Sequence, residues 1–142
     1  MYKFLEYTVG HYMTHSVKTV TRQTSLRELE ALFATHDFNA FPVMEGHTMV
    51  GLVTKFDLLK AFAFTTRQLV PHYDEVMKRT VEEVMTEAVV HVEPVAPLTR
   101  TLQLMINLKA RSFPVVASKD NLVGIIARED IMRALKDATQ AK

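Results

Sequence analysis

The sequence predicts an α+β protein, of an α/β sandwich-like kind, built from two copies of one small β-α-β-β-α unit. Three observations support this prediction: an internal repeat, matching hydrophobic patterns in the two copies, and helix-start signals at matching places. Met13 corresponds to Met85 and Pro42 to Pro114 at a separation of 72 residues. A repeat of about 70 residues is too long for a solenoid unit. We therefore expect two small domains related by a pseudo-twofold axis, with function located where they meet.

The repeat carries one inserted residue, which falls in a turn. Gly51 corresponds to Gly124 and Asp57 to Asp130 at a separation of 73. The turn is residues 45–47 in the first copy and residues 118–121 in the second, which is one residue longer. Both stretches are polar, and an insertion in such a turn costs little. We place the first domain at 8–64, a linker at 65–79 and the second domain at 80–138. Pro71 argues against one unbroken helix through the linker.

Each element of the first repeat has a local signal. Alternation predicts a short strand, and Ser25 to Glu28 reads as a capping box that opens a helix with an apolar stripe. Two short apolar runs around a polar turn predict a hairpin, and a second helix follows. The predicted elements are a strand at Val17–Val20, a helix carrying Leu26, Leu29, Leu32 and Phe33, strands at Phe41–Met44 and Met49–Val53, and a helix from about Lys55 to Phe64.

The second repeat predicts the same order. Pro97 fits the first turn of its first helix, where a missing N–H is harmless. Thr80 to Glu83 is another capping box, which starts a short helix leading to Met85 and Thr86. The predicted elements are a strand at Val89–Val92, a helix at Leu98–Leu108, a hairpin of Phe113–Val116 and Leu122–Ile126, and a closing helix at Arg128–Leu135.

Composition excludes several classes of function. The 142 residues are 48% hydrophobic and 23% charged with a net charge of +1, which is typical of a globular protein and gives no basic field for nucleic acid. No cysteine is present, so disulfides, thiolate metal sites and thiol catalysis are not expected. The lack of cysteine suits a cytoplasmic protein. Neither a signal peptide nor an apolar run of roughly 18 residues is found, so no membrane span is expected.

The sequence gives no sign of catalysis or of a metal site. Neither a recognisable nucleophile, base and acid nor a phosphate-binding glycine loop is present. His11 and His15 are spaced as a helical metal pair, but no third ligand is nearby. We therefore expect a protein that is not an enzyme, with neither a bound metal nor a cofactor.

Thr54 and Asp57 are the strongest candidates for a binding role. They stand three residues apart at a strand-to-helix junction, where exposed N–H groups favour an anion. A carboxylate can accept from both hydroxyls of a ribose, and a threonine hydroxyl can donate to a sugar or phosphate oxygen. The same spacing equally predicts a capping box that needs no ligand. In the second repeat Ala127 replaces the threonine and Asp130 remains, so a second site there is expected to be weaker, altered or empty.

The ordered motifs resemble those of the cystathionine-β-synthase-type (CBS) domain family. The first set is Val9-x3-Met13-Thr14, Phe41-Pro42-Val43 and Gly51-Leu52-Val53-Thr54-Lys55-Phe56-Asp57, and the second is Val81-x3-Met85-Thr86, Phe113-Pro114-Val115 and Gly124-Ile125-Ile126-Ala127-Arg128-Glu129-Asp130. The resemblance implies that the two domains pair through their sheets into a module with two clefts. In this family the clefts commonly bind AMP, ADP, ATP or S-adenosylmethionine, and two modules often pair into a disk.

The resemblance also implies which residues line each cleft, because each cleft draws on both domains. The first would gather Leu52, Thr54, Asp57, Thr86, Val89, Val90, Ala110, Arg111 and Ser112. The second would gather Thr14, Val17, Lys18, Phe38, Asn39, Ala40, Ile125 and Asp130. Arg111, Arg128 and Lys55 are candidate phosphate contacts, although the last two also suit an ordinary solvated charge. Phe41 and Phe113 could stack on a base or serve as core aromatics.

Two functional hypotheses follow. The first is a regulatory sensor that binds an adenosine-containing ligand, forms a homodimer and acts on a protein client. The second is a ligand-free interaction or dimerisation module, favoured by the loss of the threonine at Ala127.

Overall fold

The computed structural model describes residues 2–63, 72–118 and 121–140. These residues form six α-helices, two separate two-stranded sheets, and 3₁₀ helices at Tyr2–Glu6 and Val81–Glu83. The helices are α1 (Val9–Tyr12), α2 (Leu26–Thr35), α3 (Lys55–Lys60), α4 (Tyr73–Met77), α5 (Leu98–Leu108) and α6 (Arg128–Gln140), and the strands are β1 (Ala40–Glu45), β2 (Thr48–Thr54), β3 (Ser112–Val116) and β4 (Leu122–Ala127). The predicted helix end at Phe64, linker residues 65–71 with Pro71, and the turn residues Lys119 and Asp120 lie outside the described residues.

The mixed helix-and-strand fold with two repeats is confirmed, but packing divides the chain differently from the repeat. One compact unit, which we call the Asp57 unit, is Lys18–Val89. The other, which we call the Asp130 unit, combines Met1–Val17 with Val90–Lys142. The segment that precedes each repeat's first predicted strand therefore packs with the hairpin of the other repeat.

This exchange is fixed by backbone pairing within each unit. In the Asp130 unit Thr14 pairs antiparallel with Ile125, through N···O distances of 2.8 and 3.0 Å. In the Asp57 unit Thr86 pairs with Leu52 through two bonds of 2.9 Å. The repeated Met-Thr motif is thus an edge segment added to a hairpin.

The predicted first strand of each repeat is wrong in extent, because each is reduced to one bridge. Val20 pairs parallel with Val43, donating to the Pro42 carbonyl at 3.0 Å and accepting from Met44 at 2.8 Å. The next ladder bond would need an N–H at Pro42, which proline lacks. Val92 repeats this arrangement against Val115, beside Pro114.

The two hairpins confirm the predicted antiparallel strands. β1 pairs with β2 and β3 with β4, and each register shifts once, between Val43 and Met44 and between Val115 and Val116. Each hairpin packs into a separate core. The buried core of the Asp57 unit contains Val20, Leu26, Leu29, Phe41, Val43, Val53, Val76, Met77 and Val81. That of the Asp130 unit contains Phe4, Val9, Val92, Leu98, Met105, Phe113, Val115, Ile126, Ile131, Ala134 and Ala138.

Helix boundaries agree in part with the predictions. Ser25 caps α2 by accepting the Glu28 amide at 3.1 Å, whereas Thr80 and Glu83 form the complete reciprocal box. Pro97 is the residue before α5 rather than part of its first turn. The closing helix of the first repeat ends at Lys60, earlier than predicted.

The helix α4 was not predicted. It lies in the segment assigned to the linker and buries Val76 and Met77 in the core of the Asp57 unit. None of the helices in the described part of the chain has the length and apolar character needed to span a bilayer.

Candidate functional site

Asp57 is a buried carboxylate at the junction of β2 and α3. Only 4% of its surface is exposed. Its Oδ2 accepts the backbone N–H of Thr54 at 2.9 Å, and its own N–H donates to the Thr54 hydroxyl at 3.1 Å. The capping alternative is therefore realised in full.

The other oxygen of Asp57 faces a basic side chain. Lys60 Nζ lies 3.0 Å from Oδ1, one turn along α3, and the lysine side chain is about half exposed. A half-exposed ammonium exchanges readily with water or with another donor, because such ion pairs contribute little. The carboxylate is thus positioned by Thr54, while its second oxygen is open to exchange.

Asp130 occupies the equivalent strand-to-helix junction of the Asp130 unit, where Ala127 and Arg133 replace Thr54 and Lys60. Its Oδ2 accepts the N–H of Ala127 at 2.9 Å, and Oδ1 lies 3.2 Å from Arg133 Nη1. Alanine has no hydroxyl, so the reciprocal bond to the Asp130 amide is missing, at a cost of about 1 kcal/mol. The aspartate is 6% exposed, which is as buried as Asp57.

Glycines next to these junctions let the edge segments approach closely. A Cβ at Gly51 would lie 2.8 Å from the Thr86 carbonyl oxygen and 3.2 Å from Met85 Sδ. A Cβ at Gly124 would lie 2.7 Å from the Thr14 oxygen and 2.8 Å from Met13 Sδ. The two glycines therefore bring each Met-Thr segment against its hairpin. The family resemblance had grouped Thr86 with Asp57 and Thr14 with Asp130, but no packing role for the two glycines was predicted from the sequence.

The structure brings together part of each predicted cleft. In the Asp57 unit Leu52 pairs with Thr86 and Thr54 bonds to Asp57, and in the Asp130 unit Thr14 pairs with Ile125. Val89 belongs to the Asp57 unit, and Val17 and Asp130 belong to the Asp130 unit. The other predicted members belong to the other unit. They are Val90, Ala110, Arg111 and Ser112 for the first cleft, and Lys18, Phe38, Asn39 and Ala40 for the second.

The segments before the two prolines also reach their own strand-to-helix junctions. The Asn39 carbonyl accepts the Lys55 N–H at 3.2 Å, and the Arg111 carbonyl accepts the Arg128 N–H at 3.0 Å. Each bond ties the start of β1 or β3 to the start of the helix that carries the aspartate. Sequence reasoning did not identify this tie.

The two candidate phosphate contacts at the helix starts differ. Arg128 donates from Nε to the Ala110 carbonyl at 2.8 Å and from Nη2 to the Lys109 carbonyl at 3.1 Å, so it caps the end of α5. Lys55 is exposed, with its ammonium 5.9 Å from the centre of the Phe33 ring. Arg128 has a structural role, while Lys55 faces solvent.

The aromatic and histidine candidates have structural positions. Phe41 and Phe113 are buried in the two cores, as the core alternative predicted. His11 Nδ1 accepts the Thr8 N–H at 3.1 Å and completes a capping box at the start of α1. In the described ranges, no group of three or more metal-ligating side chains comes together.

Comparison with known proteins matches this chain to one family. The CBS domain model matches residues 9–64 and 81–137. The chloroplastic CBS domain-containing protein CBSX1 of Arabidopsis thaliana is 31% identical over 150 residues, which cover 90% of this chain and 64% of that protein. The crystal structure of CBSX2 from Arabidopsis thaliana has a TM-score of 0.83 at 27% identity, covering 96% of this chain and 99% of that one.

Two further solved structures contain ligands. CBSX2 in complex with AMP has a TM-score of 0.80 at 27% identity and covers 94% of this chain and 98% of that one. The CBS domain pair of protein MJ0100, in complex with 5′-methylthioadenosine and S-adenosyl-L-methionine, has a TM-score of 0.77 at 26% identity, with 93% and 98% covered. The chain spans less than two thirds of the curated relatives' own length: 64% of CBSX1, 20% of an L-aspartate semialdehyde sulfurtransferase of Methanocaldococcus jannaschii, and 14% of an A-adding tRNA nucleotidyltransferase of Geobacter sulfurreducens.

Proposed function

Because the chain belongs to the CBS domain family and contains two copies of the domain, we propose that it is a regulatory protein that binds an adenosine-containing ligand. The observation that carries this proposal is the geometry of Asp57. Its carboxylate is buried, oriented by Thr54, and paired at Oδ1 with a half-exposed lysine. A ribose hydroxyl can replace the Lys60 ammonium as the donor to Oδ1.

Ligands of the related structures support the class of molecule. AMP, 5′-methylthioadenosine and S-adenosyl-L-methionine share an adenosine body and differ beyond the 5′ carbon. A carboxylate that binds the ribose does not distinguish among them. We therefore propose AMP, ADP, ATP or S-adenosylmethionine as the regulatory ligand, with the ribose on Asp57.

A thermal shift measurement tests the proposal. Protein freed of carried-over ligand is heated with millimolar AMP, ADP, ATP or S-adenosylmethionine. A ligand at a hundred times its Kd stabilises the native state by about 2.7 kcal/mol, which raises the Tm by several degrees. If none of the four raises the Tm, the proposed function is wrong.

Substitution of each aspartate in turn shows which of the two is needed for the ligand-induced rise in Tm. Asp57→Asn keeps an oxygen for the Thr54 N–H but removes the charge, so we expect it to abolish most of the ligand-induced shift. Asp130→Asn is the matched control, since Asp130 has the same burial and the same backbone bond. Equal losses in both variants would contradict the primacy of Asp57.

A second candidate function is an interaction module that forms a homodimer and binds a protein client without a small ligand. Leu59 and Met132 favour it, because they occupy equivalent positions on α3 and α6 and are 66% and 67% exposed. Large exposed apolar side chains at matching sites suit an interface. Sedimentation analysis distinguishes the roles: Leu59→Asp and Met132→Asp should dissociate a dimer and leave the ligand-induced shift unchanged.

We infer that the chain has no catalytic centre of its own. The enzymes among its relatives match over a small part of their length, 20% for the sulfurtransferase and 26% for a homoserine O-acetyltransferase of Methanococcoides burtonii. Their catalytic activities are therefore not assigned to this chain.

A cytoplasmic location stays a prediction, and the relative CBSX1 is a chloroplastic protein.

A further inference from the structure

The two aspartates differ in what holds their second oxygen. Lys60, beside Asp57, makes one ion pair at 3.0 Å and lies 5.5 Å from the centre of the exposed Phe56 ring. These contacts stay within a single turn of α3. Removing the lysine from Asp57 therefore disturbs little beyond that turn.

Arg133, beside Asp130, contacts a distant part of the chain. Its Nη1 lies 3.2 Å from Asp130 Oδ1, and its Nη2 donates to the Tyr12 carbonyl at 3.1 Å. The centre of the guanidinium is also 5.5 Å from the centre of the Tyr12 ring. One planar group thus joins the aspartate on α6 to the last residue of α1.

Tyr12 is itself fixed from the other side. Its hydroxyl donates to Asp137 Oδ2 at 2.7 Å, so α1 is tied to α6 at two points. Burial and this bond to a carboxylate raise the pKa of Tyr12 above its ordinary value, so the phenol stays a neutral donor. We call Asp130, Arg133, Tyr12 and Asp137 the Arg133 cluster.

We propose that the Arg133 cluster couples the engagement of Asp130 to the N-terminal helix α1. A ligand hydroxyl that donates to Asp130 Oδ1 displaces Arg133 Nη1. The guanidinium then leaves its paired position, and its bond to the Tyr12 carbonyl and its contact with the Tyr12 ring are lost together. Binding at Asp130 therefore loosens α1, whereas binding at Asp57 does not. This inference rests on the proposed function for the identity of the ligand.

The coupling is reciprocal, because two linked equilibria shift one another by the same factor. Anything that holds α1 in place also holds Arg133 on Asp130 and opposes binding there. Arg133 thus makes the Asp130 site the one that changes the structure when it is occupied. From the sequence, the Asp130 site is expected to be weaker, altered or empty, because Ala127 replaces the threonine. The contacts of Arg133 assign that site a regulatory role instead.

Hydrogen exchange without ligand tests the connection first. The amides of Val9, Gly10 and Met13 donate to the carbonyls of Ala96, Pro94 and Val9 at 2.8 to 2.9 Å, so they report on α1. In Arg133→Ala and in Asp130→Asn we expect their protection to fall about fivefold. Lys60→Ala and Lys136→Ala, the latter an exposed position on α6, are charge-matched controls that should leave it unchanged. Unchanged protection in Arg133→Ala would overturn the inference.

Addition of AMP tests the release. In Asp57→Asn, which leaves Asp130 as the carboxylate under test, saturating AMP should speed exchange of the same three amides by about fivefold. Adding Arg133→Ala should tighten AMP binding by a similar factor and abolish that effect. Unchanged or weaker binding in the double variant would show that Arg133 does not compete with the ligand, and would overturn the inference.

The two proposals fail in different ways. If wild-type protein and every variant fail to bind AMP, ADP, ATP and S-adenosylmethionine, the proposed function is wrong and ligand-driven release is wrong with it. If Asp57→Asn binds AMP but its α1 exchange is the same with and without AMP, the proposed function stands and only the coupling is wrong.

Discussion

The Asp57 and Asp130 units build the same strand-to-helix junction with different side chains. In both, a buried aspartate accepts the backbone N–H of the residue three before it at 2.9 Å. The units differ at the two flanking positions, which are Thr54 and Lys60 in one and Ala127 and Arg133 in the other.

This difference shows that the backbone bond to the carboxylate is shared, while the side chains that contact each carboxylate differ. Thr54 adds a bond on the strand side, and Lys60 pairs with the carboxylate within one helical turn. Ala127 adds nothing on the strand side, but Arg133 ties the carboxylate to α1. The first junction is therefore locally held and the second is held through a distant segment.

The largest effect is expected where both units pack an edge segment against a glycine. Gly51→Ala and Gly124→Ala each place a Cβ within 3 Å of a backbone oxygen, which cannot move without shifting the edge segment. We expect each to lower the free energy of unfolding by about 1–3 kcal/mol, measured by urea denaturation. Gly124→Ala should cost more, because Met13 Sδ would also lie within 3 Å of the new Cβ.

Gly46→Ala is the control for loss of a glycine without a clash. Gly46 has a φ of +63° and open space around its Cβ position, so its cost is the left-handed backbone alone, about 1 kcal/mol. A loss at Gly51 or Gly124 no larger than the loss at Gly46 would contradict close packing of the Met-Thr segments.

A smaller effect is expected where the junctions differ by one hydroxyl. Thr54→Ala should lower the free energy of unfolding by about 1 kcal/mol, because the Asp57 amide loses its acceptor. Ala127→Thr should raise it by up to about the same amount by restoring the reciprocal box at Asp130. Urea denaturation of both variants and of the double variant checks the sign, and a gain in Thr54→Ala would show that the hydroxyl does not act as a cap.

Much of this comparison was predictable from the sequence, because the repeat places equivalent residues in equivalent elements. The hairpins, the capping boxes at Thr54 and Thr80 and the core positions of Leu26 and Leu29 follow from local patterns, and the structure confirms them. The extent of the first strands was predictable in principle, because Pro42 and Pro114 remove the N–H that a longer ladder needs.

Contacts between distant parts of the chain were not predictable in the same way. The repeat alone does not show whether each Met-Thr segment packs with its own hairpin or with the other one. Only the family resemblance grouped Thr86 with Asp57 and Thr14 with Asp130. Arg133 looks like any exposed helix charge until its Tyr12 partner, 121 residues away, is known. Helix α4 was not predicted because its two buried residues, Val76 and Met77, are too few to show the roughly 3.6-residue hydrophobic period of a helix.

The smallest expected effect concerns the capping boxes that precede the two Met-Thr segments, one at Thr8 and the other at Thr80. Thr80 donates its N–H to Glu83 at 2.9 Å, whereas the equivalent Thr8 donates to His11 Nδ1 at 3.1 Å. The backbone bond from Thr80 lowers the pKa of Glu83 from its ordinary value of 4.5. The contribution of that bond is therefore complete above the ordinary value and is lost as the pH falls through the lower folded pKa.

Glu83→Gln keeps an acceptor but removes the titrating charge, so it should abolish this acid-dependent part of the stability, about 0.5 kcal/mol for an exposed carboxylate. His11→Glu replaces the imidazole acceptor of the Thr8 capping box with a carboxylate, as in the Thr80 box. It should therefore add a similar acid-dependent contribution to the free energy of unfolding. Urea denaturation of wild type and both variants at a series of pH values from 3 to 7 measures the two effects. Parallel stability curves for wild type and Glu83→Gln would mean that the Glu83 charge has no part in the cap.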